Sequence, residues 1–209
     1  MNRKRIIFIA ITLLIVITLA LIVVRLNFIT QTDKDITIGM IDGSVSKNYD
    51  NVIMNTNNKS DYISHGDHMI DFANICNSKN KIYYFDASIN GEISTESIIE
   101  GLEWMIENSV SKVNLSLSSK IYSEQLNQWI NDHKDDIEIY ASYNNNINSY
   151  DYPAMYSNVV ASGKKSTIKF KDIDYSYASS NIIYIGTGVK LYEGNSYLSV
   201  LTLIRKSTK

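Results

Sequence analysis

Ile36 to Asp42 reads ITIGMID, Ser64 to Cys76 reads SHGDHMIDFANIC, and Lys81 to Ala87 reads KIYYFDA. The first and third stretches are short, apolar and rich in β-branched or aromatic side chains, the composition of buried strands. The middle stretch opens on a cap-type serine, Ser64, and carries Met69, Ile70, Ala73 and Ile75 at mixed helical spacing, so it reads as a helix. Strand, helix and strand in that order form a crossover unit. Repeated units of this length build a parallel sheet covered by helices on both faces.

The alternation continues toward the C-terminus. A helix is predicted over Ser94–Asn108, where Ile98, Leu102, Met105 and Ile106 share one face and Ser94 and Ser97 offer capping hydroxyls. A strand at Val113–Leu117, a helix at Glu124–His133 and a strand at Ile137–Tyr143 follow. Trp104 and Trp129 fall on apolar helix faces and belong to the core. Farther on, Val159–Ser162, Thr167–Phe170 and Ile182–Gly186 read as short strands, and an apolar helix runs from Ser196 to Ile204. The fold class is α/β.

Toward the N-terminus, residues 6–24 (IIFIAITLLIVITLALIVV) hold no charge and only Thr12 and Thr18 as polar side chains. As a helix this stretch is roughly 28 Å long, close to the ~30 Å hydrocarbon thickness of a bilayer. It exceeds the apolar region of about 7 to 15 residues in a secretory signal, and a small-residue cleavage site is also expected of such a signal. The bulky run Ile22, Val23, Val24, Arg25 and Leu26 offers none. One uncleaved transmembrane helix is therefore expected, with Arg3, Lys4 and Arg5 keeping the N-terminus in the cytoplasm. The expected organisation is a basic cytoplasmic terminus over 1–5, an anchor over 6–24, a stalk over 25–35 and a single extracytoplasmic domain over 36–209.

The 20 Lys and Arg against 22 Asp and Glu give a formal net charge of −2, and four of those cations lie within residues 1–25. The remaining body is acidic, which argues against a nucleic-acid partner, whose footprint is a basic face. One cysteine, Cys76, excludes an intrachain disulfide and a cysteine-only metal site. At the end of its helix it reads as a small buried hydrophobe.

Parallel α/β sheets gather their ligands beyond the carboxyl ends of their strands. Asp42 ends the first strand, His65 opens the next helix, Asn144 follows the strand ending near Tyr143, and Ser196 opens the last helix. These are the residue types of acyl transfer. Serine is the nucleophile, histidine its base, a carboxylate orients the histidine, and an amide side chain donates to the oxyanion.

The order Asp, His, Ser, together with the local strings, resembles the subtilisin-like serine proteases, the subtilase family. IGMIDGSV is similar to the family's aspartate motif and implies Asp42 as the catalytic acid. SHGDHMIDFA is similar to its histidine motif and implies His65, with His68 as a second, structural histidine. GNSYLSV corresponds to the serine motif and implies Ser196, and ASYNN resembles the oxyanion segment and implies Asn144. WMIENSVSKVNLSLSS is similar to the helix and strand of the substrate-binding edge, implying that Leu115, Ser116, Leu117 and Ser118 lie beside an extended peptide. YPAMYSNVVASG and YASSNIIYIGTGVKL also resemble family stretches, so the resemblance covers about residues 36–205. It implies a three-layer fold with a parallel sheet between helices, shortened at the C-terminus, and no room for a propeptide between the anchor and the first strand.

The motifs also depart from the family. Asp67 stands where the histidine motif has Thr, and is expected to set a second carboxylate beside the imidazole, raising its pKa or misorienting it. Tyr143 replaces a Gly before Asn144 and is expected to crowd that turn. In the serine motif Asn195 stands for Thr, Leu198 for a small residue and Val200 for Pro, so packing of the nucleophile's helix needs compensation. A metal reading through His65, Asp67 and His68 lacks the i, i+4 spacing of zincin helices, and His68 reads as a core residue. No metal or other cofactor is expected. The implied activity is a membrane-anchored serine endopeptidase acting on a polypeptide, with a pseudoprotease that binds an exported peptide or a membrane partner as the alternative.

Overall fold

The protein is described by a computed structural model over residues 5, 9, 11–18, 27–29, 31–56, 59–145, 151–164, 175–178, 182–185 and 190–209. A helical segment, α1, covers 11–18 and exposes Ile11, Leu13, Leu14, Ile15, Val16 and Ile17. Then come β1 (Asn27–Ile29), β2 (Ile36–Asp42), β3 (Val52–Met54), α2 (His65–Cys76), β4 (Asn80–Asp86) and the hairpin β5 (Ser88–Ile89) and β6 (Glu92–Ile93). The chain continues through α3 (Thr95–Glu107), β7 (Lys112–Leu115), α4 (Glu124–Asp132), β8 (Glu138–Ser142) and β9 (Val159–Lys164). It closes with β10 (Tyr175–Ala178), β11 (Ile182–Ile185), β12 (Lys190–Glu193) and α5 (Asn195–Ser207).

Seven strands form the central sheet in the order β10-β9-β8-β7-β2-β4-β3, and every pairing in it is parallel. Helices α2 and α5 pack on one face, and α3 and α4 on the other. Strand β2 lies near the middle, and of its seven residues only Thr37 is exposed. Alternate side chains of a strand point to opposite faces. Ile38 and Met40 therefore join Met69, Phe72 and Leu201 beneath α2 and α5, while Ile41 joins Leu102, Met105 and Ile130 beneath α3 and α4. Each such side chain contributes roughly 1.5–3 kcal/mol through its removal from water, and two cores clamp one sheet into the expected three-layer arrangement.

Helix starts follow from serine caps. Ser64 and Asp67 form a reciprocal capping box on α2, Ser94 and Ser97 do the same on α3, and Ser123 caps α4 by accepting from the Leu126 N–H. Each cap stabilises its helix by about 1 kcal/mol. These serines fix where the helices begin, and hence that His65 is the first residue of α2.

Several elements differ from the sequence reading. Strand β7 stops at Leu115 rather than Leu117. The short strands β3, β5 and β6 carry too few residues to show a period and were not expected. The predicted strand at Thr167–Phe170 lies outside the described residues, as does most of the predicted anchor over 6–24. Among the described residues no helix is long and apolar enough to cross a membrane. In the segment read as a stalk, β1 pairs in parallel with β11. The backbone of Thr32 exchanges hydrogen bonds with Cys76 and Ser78, and Asn77 holds both the N–H and the carbonyl of Lys34.

Candidate functional site

Strand β2 and helix α2 run in opposite directions through the domain, so the last residue of one meets the first residue of the other. There His65 Nδ1 donates to Asp42 Oδ2 at 2.7 Å. Asp42 is buried, and its other oxygen accepts from the Gly43 N–H at 2.8 Å. The carboxylate holds the proton on Nδ1, which leaves the Nε2 lone pair free to act as a base. The Asp42 hydrogen bond raises the His65 pKa above its ordinary 6.5, against a smaller opposing effect of burial.

Close packing sets this junction. A Cβ at Gly66 would lie 1.9 Å from the Tyr84 hydroxyl, which itself donates to the Gly43 carbonyl at 2.5 Å. Only glycine lets the helix start lie this close to β4. Burial pushes the Tyr84 pKa well above 10, so the hydroxyl stays protonated as that donor. At the end of β4 the Asp86 carboxylate, level with Asp42 in register, accepts from Ser44 and Ser88.

The other half of the site lies across the sheet. Gly194 precedes α5 at φ 141°, a backbone conformation that favours glycine, and as the N-cap residue it supplies no capping side chain. Ser196 is its second residue and half-buried. Its N–H is among the first four of the helix, which have no partner within it. The buried Asn195 side chain donates to the carbonyls of Tyr143 at 3.0 Å and Asn144 at 2.9 Å, and its backbone N–H donates to Asn145 Oδ1 at 2.8 Å. These bonds fasten the start of α5 to the loop after β8 and bring Ser196 beside Asn144. The Asn144 N–H in turn donates to Asp151 Oδ2 at 3.1 Å. Among the described residues no hydrogen bond links the Ser196 hydroxyl to His65.

Under α5 lies a polar layer that the sequence reading missed. Asn114 accepts from Ser199 and donates to Ser116 Oγ at 2.6 Å, and Ser162 donates to Thr202 at 3.2 Å. A lone asparagine in the apolar run VNL was the only available signal. The four residues read as a substrate edge fall into two environments. Leu115 is fully buried in the core facing α3 and α4, and the Ser116 hydroxyl is turned inward to Asn114. Leu117 and Ser118 lie beyond the end of β7, where the chain leaves the sheet. They line a cavity of about 300 Å³ together with Ile93, Ile98, Ile121, Leu126, Tyr152 and Tyr156. Ser119 closes its wall through a two-way backbone bridge to Tyr152 at 2.8 and 2.9 Å.

Three further expectations change. Asp67 does not act on the imidazole, since its carboxylate points into the loop after β2, where it accepts from Ser46, Lys47, Tyr49 and Ser64. Tyr143 does not crowd the turn, because its φ is not positive and its ring is buried in the same core as Ala154 and Tyr156. His68 is exposed on α2 rather than part of the core. Leu198 fits where a small residue was expected, packed in the core between α5 and the sheet.

No family profile matches the chain. Over 116 residues, 53% of the chain, it is 31% identical to Subtilisin Savinase of Lederbergia lenta, and the match covers 43% of that protein. Over 153 residues, 62% of the chain, it is 29% identical to Minor extracellular protease Epr of Bacillus subtilis (strain 168), covering 23% of it. The chain spans less than half the length of the curated relatives it matches. Among solved structures it is similar to a cold-adapted subtilisin-like serine proteinase, with a TM-score of 0.62 at 19% identity, covering 85% of this chain and 75% of that one. The prenylagaramide maturation protease PagA gives the same TM-score of 0.62 at 14% identity, covering 85% of this chain and 76% of that one. At these identities the structural likeness establishes the fold.

Proposed function

We propose that this chain, a divergent subtilisin-like protein, is a serine endopeptidase, with Ser196 as nucleophile, His65 as base, Asp42 as its orienting carboxylate and Asn144 as oxyanion donor. The observation that carries the reading is the 2.7 Å bond from His65 Nδ1 to a buried Asp42, formed at the edge of the sheet where Ser196 opens α5. Nε2 takes the hydroxyl proton as Ser196 Oγ attacks the peptide carbonyl. The charge that develops on the carbonyl oxygen falls to the Asn144 amide and the Ser196 N–H. Nε2 then passes its proton to the departing amine, and water releases the acyl group by the same steps with Ser196 regaining its proton. An extended peptide lying along Leu117 and Ser118 would add a strand to that edge and place an apolar side chain in the cavity beneath Ile121 and Tyr152.

Residues 6–24 act, in this reading, as a single-pass anchor that holds the domain on the outer side of the cell membrane. The apolar, exposed circumference of α1 supports it, because a helix with no polar face has no stable place in water.

Fluorophosphonate labelling of the full chain in detergent, beside Ser196→Ala and His65→Ala, tests the activity without a known substrate. Labelling of the parent alone is the expected result. A folded parent that binds peptides but stays unlabelled overturns the protease reading in favour of a pseudoprotease.

A further inference from the structure

The Asp67 carboxylate is fully buried, and the groups that hydrogen-bond to it are backbone N–H groups and uncharged hydroxyls. Oδ2 accepts from the Ser46 N–H at 2.9 Å and hydroxyl at 2.8 Å, and from the Ser64 N–H at 2.8 Å and hydroxyl at 3.1 Å. Oδ1 accepts from the Tyr49 hydroxyl at 3.0 Å and the Lys47 N–H at 3.3 Å. These donors come from two segments only. One is the loop that leaves β2 directly after Asp42, and the other is the residue directly before His65. The half-exposed Lys47–Asp71 ion pair at 2.8 Å also joins this loop to α2, but the Asp67 carboxylate makes the buried connection between the two segments.

We infer that Asp67 is a positioning residue, a buried clamp that sets the separation of Asp42 and His65 by holding the loop 43–49 against the first turn of α2. The inference rests on the reading of Asp42 and His65 as the catalytic pair. A carboxylate is suited to the task because it is acceptor-only, and every neighbour it meets here is a donor. A threonine brings one hydroxyl, which can accept from at most two of these groups. An amide brings an NH2 group that would face N–H donors, so Asp67→Asn keeps the shape and breaks the clamp. The hydrogen bonds hold the Asp67 pKa below its ordinary 3.8 despite burial, which keeps it ionised as an acceptor at neutral pH. The other titratable groups gathered at this end are Asp42, Tyr84 and Asp86 from the strands, Lys47 and Tyr49 from the loop, and His68 and Asp71 on α2 itself, with Lys47 paired to Asp71.

The test reads the imidazole directly. Side-chain NMR of His65 in the full chain is compared across the parent, Asp67→Asn, and Ser94→Ala, which removes a cap of the same kind on α3, away from the pair. In the parent His65 titrates above 6.5. In Asp67→Asn the midpoint moves down toward 6.5 and fluorophosphonate labelling slows on the order of 10- to 10²-fold, the cost of misplacing a catalytic group by up to about 1 Å. Ser94→Ala lowers thermal stability without moving the midpoint. An unchanged His65 midpoint in Asp67→Asn overturns the inference. Should that variant not fold, Ser46→Ala and Tyr49→Phe each remove part of the clamp and give smaller shifts in the same direction, and their absence overturns it equally. A parent with a raised midpoint and no labelling overturns the protease reading alone.

Discussion

The two halves of the candidate site are held by different means. At Asp42 and His65 every position is fixed twice, by a direct side-chain bond and by a buried neighbour, Tyr84 above Gly66 or Asp67 beneath Ser64. At Asn144 and Ser196 the ties run from the Asn195 amide to two loop carbonyls and from the helix N–H to Asn145, and Ser196 itself carries only its place at the helix start. The Asp42–His65 pair is preorganised, whereas Ser196 is placed by the end of a helix. Catalytic hydrogen bonds commonly tighten only once substrate is bound. The serine half is the natural place for that tightening here, because among the described residues no hydrogen bond ties the Ser196 hydroxyl to His65.

This contrast can be broken at either half. Asp42→Asn strikes the preorganised half and keeps its shape, but the amide favours the wrong imidazole tautomer, so labelling or turnover should fall about 10⁴-fold with thermal stability little changed. A loss under tenfold would mean that the pair is not in use. Asn144→Ala strikes the other half and should cost about 10² to 10³ in kcat, with KM nearly constant, since oxyanion stabilisation acts in the transition state. A rise in KM alone would show Asn144 to be a binding residue. The smallest effect is in pH. His65 has a raised pKa and acts as a base only when neutral, so labelling should rise with pH through a midpoint above 6.5. The same shift makes its contribution to stability full below 6.5 and lost as pH rises through the folded value. Asp67 behaves oppositely, because its pKa is depressed: its contribution is present above 3.8 and is lost as pH falls below that toward the folded value. A labelling midpoint at or below 6.5 would contradict the 2.7 Å contact.

The placement of the candidate residues was legible in local strings, and the reasons are local. Asp42, His65, Asn144 and Ser196 each sit where a strand or helix ends, and such ends are marked by a serine cap or a glycine a few residues away. The role of Asp67 was not legible. Its donors Ser46, Lys47 and Tyr49 lie 18 to 21 residues away along the chain, so the sequence showed only a charge next to a histidine. The direction of the Ser116 hydroxyl was hidden for the same reason, since Asn114 answers to Ser199 on a helix 85 residues later.

By itself the sequence determined the α/β alternation, the starts of α2, α3 and α4, and the residue types at the sheet edge, because hydrophobic period and capping act over a few residues. Only the tertiary structure decided which face Leu115 and Tyr143 would join, which way Asp67 would turn, and which half of the site is clamped. Those outcomes depend on which buried donors and apolar surfaces meet across the sheet, and no short stretch of chain contains both partners.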